Sequence, residues 1–165
     1  MPTTTKPTVK DLIAEALTWE GTPHKNNQAL KGKDGGVDCI RFPCEAAKRA
    51  GINVTVPLNY PSDPQGEKLL NYLDEQLYLI GTVRNVYPWS DRYLSRSTTK
   101  EQLLMLTQPG DILVFQRTYK GAPGHVELLL DSEYKIHCTI KNGVVKSRLG
   151  SAKLLAAVYR FKELR

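Results

Sequence analysis

A chain of 165 residues is long enough to close one core of its own, so a single domain over 1–165 is expected, with no need of disulfide or metal staples. Its 23 Lys and Arg against 17 Asp and Glu leave +6, spread along the chain; this favours a polyanionic partner (envelope, membrane surface or nucleic acid) without choosing among them. Three cysteines at unrelated spacings exclude a disulfide framework, no CxxC pair marks structural zinc, and no apolar run is long enough for a membrane span.

The N-terminus MPTTTKPTVK has no apolar h-region, so no secretion signal is expected, and residues 1–7 read as flexible. The next segment predicts a helix over 9–20, with Thr8 as N-cap, Asp11 in the first turn, and Leu12, Ile13, Ala16 and Leu17 on one stripe. Residues 21–37, GTPHKNNQALKGKDGGV, lack periodicity and predict a polar loop that delivers the chain to Asp38. A second helix follows over 39–50, stopped by Gly51 in the C′ position.

Past the proline-punctuated turn PLNYPSDPQG, the run GEKLLNYLDEQLYLI places Leu69, Leu70, Leu73 and Leu77 on one side and predicts a helix over 66–80. TTKEQLLML then carries a capping-box pattern, Thr98 to Glu101, for a helix ending near Leu106. From Pro109 the character changes. ILVFQR, HVELLL, YKIHCTI, GVVKSR and LLAAVYRF are short β-rich segments between turns, which predicts an antiparallel sheet and an α+β fold.

Two readings of Cys39 stand side by side. At the start of a helix, unpaired backbone N–H groups and the dipole favour the thiolate, as a nucleophile requires; a cysteine can equally be buried as a small hydrophobe. A nucleophilic thiol needs a base and a group to orient it. If the loop between their strands is Asp131-Ser132-Glu133, His125 and His137 share a sheet face and can fill those roles, or simply be two strand histidines that happen to do so. A zinc site from Cys39, His125 and His137 is geometrically conceivable, but no fourth ligand is evident. Cys44 and Cys138 read as packed residues. A nucleic-acid role rests on charge alone and lacks interleaved aromatic and basic residues.

The order of a loop-to-helix cysteine followed by two hairpin histidines resembles the NlpC/p60 superfamily of papain-like cell-wall cysteine peptidases. GTPHKNNQALKGKDGGVDC resembles that family's entry to its nucleophile, PGDILVF precedes the base strand, and HVELLLDSEYKIHCTIKNGVV resembles its histidine strand, turn and second histidine. The long GTP…LKG…DC loop, the YPSD segment and the ending GVVKSRLGSAKLLAAVYRF are most similar to the branch encoded in phage tail modules. The resemblance runs from about Leu12 to the C-terminus.

It implies N-terminal helices packed on a C-terminal antiparallel sheet, with Cys39 as nucleophile, His125 as general base and later acid, and His137 as orienting residue. The oxyanion would be held by the Cys39 backbone N–H, with His24, which stands where the family has Tyr, and Asp38 in its neighbourhood. His24 is equally read as a solvated loop histidine. The implied reaction is hydrolysis of a stem-peptide amide in peptidoglycan, at the bond between D-γ-glutamate and the diamino acid, with no cofactor and no metal. The implied partners are peptidoglycan and other phage tail proteins; the chain would be made in the cytoplasm, ride in the virion and act in the cell wall or periplasm.

Two departures bear on that reading. Arg41 and Glu127 stand where the family has glycine or another small residue, two positions after the nucleophile and two after the base. Their opposite signs predict a pair between helix and strand. Glu127 also shares strand parity with His125, so it could instead sit beside the imidazoles and stabilise an imidazolium. A third reading is a degenerate site that binds the envelope without cutting.

Overall fold

The computed structural model describes residues 5–56, 67–83, 93–94, 99–116 and 123–164; the expectations for the first four residues, the proline-rich turn at 57–66 and Thr98 lie outside them. Helix α1, Val9–Leu17, opens on the expected cap: the Asp11 amide donates to Thr8 Oγ1 (3.3 Å), and Asp11 Oδ2 accepts from the Thr8 amide (2.8 Å). It stops short of residue 20 because the chain turns at Thr18 and drives Trp19 into the core, edge-on to Phe42 with ring centroids 6.1 Å apart. The 21–37 loop is less irregular than its composition suggests, since β1 (Ala29–Leu30) and β2 (Gly36–Val37) pair antiparallel within it.

Helix α2 covers Arg41–Arg49 and ends at Gly51 (φ +88°), with Lys48 and Arg49 against the negative end of its dipole. Helix α3, Glu67–Gln76, buries Leu69, Leu70 and Leu73 as expected. It does not continue to residue 80. Leu77–Val83 is strand β3, which pairs antiparallel with the last strand, β9 (Leu155–Phe161), from Leu77↔Phe161 to Thr82↔Ala157. Local helix propensity differs by only a few tenths of a kcal/mol per residue, so a ladder offered by a strand about eighty positions away overrides it. Helix α4, Lys100–Leu106, is capped by Thr99 with Gln102. This is one residue past the expected Thr98–Glu101 box, and it turns Leu103 onto the sheet.

The remaining strands are β4 (Tyr93–Leu94), β5 (Ile112–Gln116), β6 (Pro123–Leu129), β7 (Tyr134–Thr139) and β8 (Gly143–Arg148). The sheet order is β4-β3-β9-β5-β6-β7-β8; the six strands from β3 to β8 are antiparallel, and two-residue β4 adds to the edge in parallel. Alternation along the strands divides the apolar residues between two faces. Ile112, Val114, Val126, Leu128, Ile136, Ala157 and Tyr159 join α1, α2 and α3 in the larger core, while Leu113, Leu129, Leu155 and Val158 meet Leu103 of α4 on the other side. N-terminal helices on a C-terminal antiparallel sheet is therefore the observed architecture. Among the described residues no helix is long and apolar enough to cross a membrane.

Candidate active site

Asp38 shapes the turn that carries the thiol. Its carboxylate Oδ1 accepts from the amides of Ile40 (3.1 Å) and Arg41 (2.9 Å), and its carbonyl accepts from Phe42 (3.0 Å), so a first helical turn reaches back over Cys39 ahead of α2 proper. Its other oxygen accepts from the Asn27 amide at 3.1 Å. Arg41 Nη1 donates to the Asn27 carbonyl, so the side chains of Asp38 and Arg41 together clamp the 25–37 loop at a residue in the left-handed region (φ +56°). His24 is half-buried, and its backbone bridges to Val37, two residues before Cys39.

Cys39 is 8% exposed and its sulfur lies 3.9 Å from the Gly124 carbonyl on β6. There the β5–β6 register shifts: Phe115 pairs with His125 and Gln116 with Pro123, leaving Gly124 as a bulge beside the histidine. A bulge re-aims its neighbours and brings backbone close to another element.

The β6–β7 hairpin closes on Asp131-Ser132-Glu133. Asp131 Oδ1 accepts from the amides of Glu133 and Tyr134, each at 2.7 Å, a side-chain turn that fixes the loop at three residues. With that loop, His125 and His137 fall on one face: His125 Nε2 and His137 Nδ1 are 2.8 Å apart, the rings meeting edge to face. The far nitrogen of His137, Nε2, meets Ser147 Oγ on β8 at 3.2 Å.

Glu127 occupies the remaining side of the imidazole pair. Oε1 is 3.4 Å from both His125 Nε2 and His137 Nδ1 and is bonded to Lys135 Nζ. Of the two settings the sequence offers Glu127, a pair with Arg41 or a place beside the imidazoles, the structure shows the second. Lys135 and the imidazoles hold the carboxylate, and Arg41 turns to the loop carbonyl, because the hairpin brings β7 cations nearer to Glu127 than the helix can. Burial pushes the Glu127 carboxyl up, but hydrogen bonds from His125, His137 and Lys135, with the Lys135 charge, outweigh it and hold the group well below the usual carboxylate range. The donor set that could hold a cation differs from the one conceivable in the sequence: Glu127, rather than Cys39, joins the two histidines, with three donor atoms within 4.8 Å of one another.

Cys44 and Cys138 are sealed. Burial pushes both thiols up to about 12, with Tyr72 Oη hydrogen-bonded to the Cys44 sulfur at 3.5 Å and the Cys138 thiol donating to the Val37 carbonyl at 3.1 Å. The residues that sequence reasoning passed over are Lys135 and Ser147. Lys135 shares strand parity with His137, a signal available in YKIHCT, whereas Ser147 needed the β7–β8 register.

No family profile matches the sequence, and no characterised protein matches it at a significant level. Solved structures do. An NlpC/P60 family protein from Bacillus cereus ATCC 10987 superposes with a TM-score of 0.56 at 19% identity, over 94% of this chain and 41% of its own. A protein of the NLP/P60 family, described as similar to lipoprotein, from Staphylococcus aureus subsp. aureus Mu50 gives 0.55 at 18%, over 96% and 45%. The P60 domain of an antigen from M. avium subspecies paratuberculosis gives 0.53 at 13%, over 92% and 93%. The chain spans less than half the length of the first two and nearly all of the third. These likenesses establish that it has the NlpC/P60 fold.

Proposed function

We propose that the chain is a cysteine-dependent amide hydrolase that cuts peptidoglycan stem peptides, at the bond between D-γ-glutamate and the diamino acid. The observation that carries this reading is the 2.8 Å contact between imidazoles of adjacent strands. The Cys39 sulfur meets β6 at the Gly124 carbonyl from the helix side of the sheet, while His125 and His137 share the face of Leu113 and Leu129, so proton transfer requires His125 to reach round the Gly124 bulge. His125 takes the thiol proton, and the thiolate attacks the carbonyl carbon. The Cys39 backbone N–H donates to the oxyanion, a bond worth about 3 kcal/mol in comparable sites. His125 returns the proton to the leaving amine, then activates the water that hydrolyses the thioester. His137 holds the His125 ring by its Nε2 edge, and Ser147 holds His137.

A net charge of +6 suits an anionic wall, and the resemblance of the loop and C-terminal segments to phage tail modules supports a virion-borne enzyme, with other tail proteins as partners, that opens the wall locally. A second reading, an envelope-binding component that does not cut, is favoured by the slight exposure of Cys39 and by the Glu127–Lys135 pair set against the imidazoles. Incubation with purified muropeptides, with the products weighed by mass spectrometry, separates the two. The hydrolase gives two fragments whose masses sum to substrate plus water, and Cys39→Ala lowers the rate at least about a thousandfold with an unchanged unfolding midpoint. Intact muropeptides with the wild-type protein would leave the binding module.

A further inference from the structure

A thiol–imidazole relay needs two rings; this cluster adds a carboxylate. His125 Nε2, His137 Nδ1 and Glu127 Oε1 form a triangle with sides of 2.8, 3.4 and 3.4 Å. Tetrahedral zinc with bonds of about 2.0–2.1 Å spaces its ligands about 3.3–3.4 Å apart, so two sides already fit and the third need open by only about half an ångström. Two imidazole nitrogens and one carboxylate oxygen are a donor set suited to zinc-class ions, and three protein ligands leave a position open. An outer partner is in place as well, with Ser147 Oγ at the far nitrogen of His137. The second oxygen, Glu127 Oε2, is buried with no hydrogen-bond partner among the described residues, so the carboxylate is not fully satisfied by the groups around it.

We propose that His125, Glu127 and His137 bind a divalent zinc-class ion, and that the bound ion takes the imidazole pair out of proton transfer. The first half stands on this geometry alone; the second rests on the hydrolase reading. With Nε2 of His125 and Nδ1 of His137 both giving lone pairs to the ion, His125 carries its proton on Nδ1 and His137 on Nε2, where Ser147 Oγ accepts it. His125 then has no lone pair left to receive the thiol proton. Lys135 opposes the ion, because its ammonium already holds the same carboxylate oxygen. The site is therefore a competition between a resident cation and an arriving one, and occupancy follows the free ion concentration.

Cobalt(II) titration of tag-free Cys39→Ala protein, read by visible absorption with zinc as the displacing ion, tests the site without a thiolate ligand. A band that saturates at one equivalent and is displaced by zinc is expected. Ser147→Ala should weaken binding about tenfold, Glu127→Gln by at least that, and Lys135→Met should tighten it. No saturating band in Cys39→Ala, or a Glu127→Gln affinity equal to the parent's, overturns the site. Should Glu127→Gln fail to fold, Lys135→Met decides: affinity unchanged or weaker overturns it. If no muropeptide is ever cut, the cobalt readout still stands; if cleavage proceeds at full rate in the zinc-loaded wild-type enzyme, the switch is overturned while the site remains.

Discussion

Glu127 is the residue whose surroundings differ most from what its neighbours in sequence suggest. Opposite charge made Arg41 its natural partner, but a strand residue meets first what the adjoining strand offers, and β7 offers Lys135 and His137. Because its folded carboxyl titrates far below its ordinary value of 4.5, Glu127 stabilises the fold fully above that value, and the contribution is lost as pH falls below it. Among the described residues, the charged or titratable groups facing it are His125 on its own strand and Lys135 and His137 on β7. Urea unfolding of wild type and Glu127→Gln at pH 7 and pH 3 should therefore show a smaller acid loss in the variant; equal losses would mean that the carboxylate is not held by these cations. The two histidines were legible in the sequence because their shared face depends only on an odd loop count, which Asp131 fixes by its own side chain. The hold of Ser147 on His137 was not, since it depends on the pairing of two strands.

At the scale of elements, caps and amphipathic stripes were readable to within a residue or two, as Thr8, Gly51 and the α3 leucines illustrate. The misreading at Leu77–Val83 has a plain cause: Leu77 is buried in the helix-side core whether it ends a helix or begins a strand, so periodicity could not separate the two. Gly143 shows how an element places the site. It begins β8 at φ +65°, and an added Cβ would come within 2.2 Å of the Thr22 carbonyl; around it the Gly21 amide donates to the Val144 carbonyl and the Val144 amide to that of Thr22. This seam docks the start of the loop that leads to Cys39 onto the sheet. Gly143→Ala should cost about 2–3 kcal/mol in chemical denaturation, from the strained backbone and the displaced loop together.

For the whole molecule, the decisive feature is that β9 enters between β3 and β5, making the last strand an interior one. One ion pair marks the join. Arg160 on β9 donates through Nε and Nη2 to the two oxygens of fully buried Asp111 at the head of β5, at 2.7 and 2.8 Å, while Asp111 Oδ2 also accepts from the Gln108 amide at 2.9 Å. Removing the cation leaves a buried carboxylate uncompensated, so Arg160→Met should lower stability by about 3 kcal/mol, read as a shifted denaturation midpoint with an unchanged slope.

The sequence by itself determined the α+β class, the first two helices and the stop of the second at Gly51, the run of strands from β5 onward, and the three residue types a thiol hydrolase would use. These rest on local periodicity, caps and turn chemistry, which act over a few residues. Tertiary structure alone decided that 77–83 is a strand, that β9 lies inside the sheet, that Arg41 clamps a loop, which of its two settings Glu127 takes, and that Lys135 joins it. Each depends on which distant backbone supplies hydrogen bonds and which charge lies nearest in space, and neither quantity is fixed by distance along the chain.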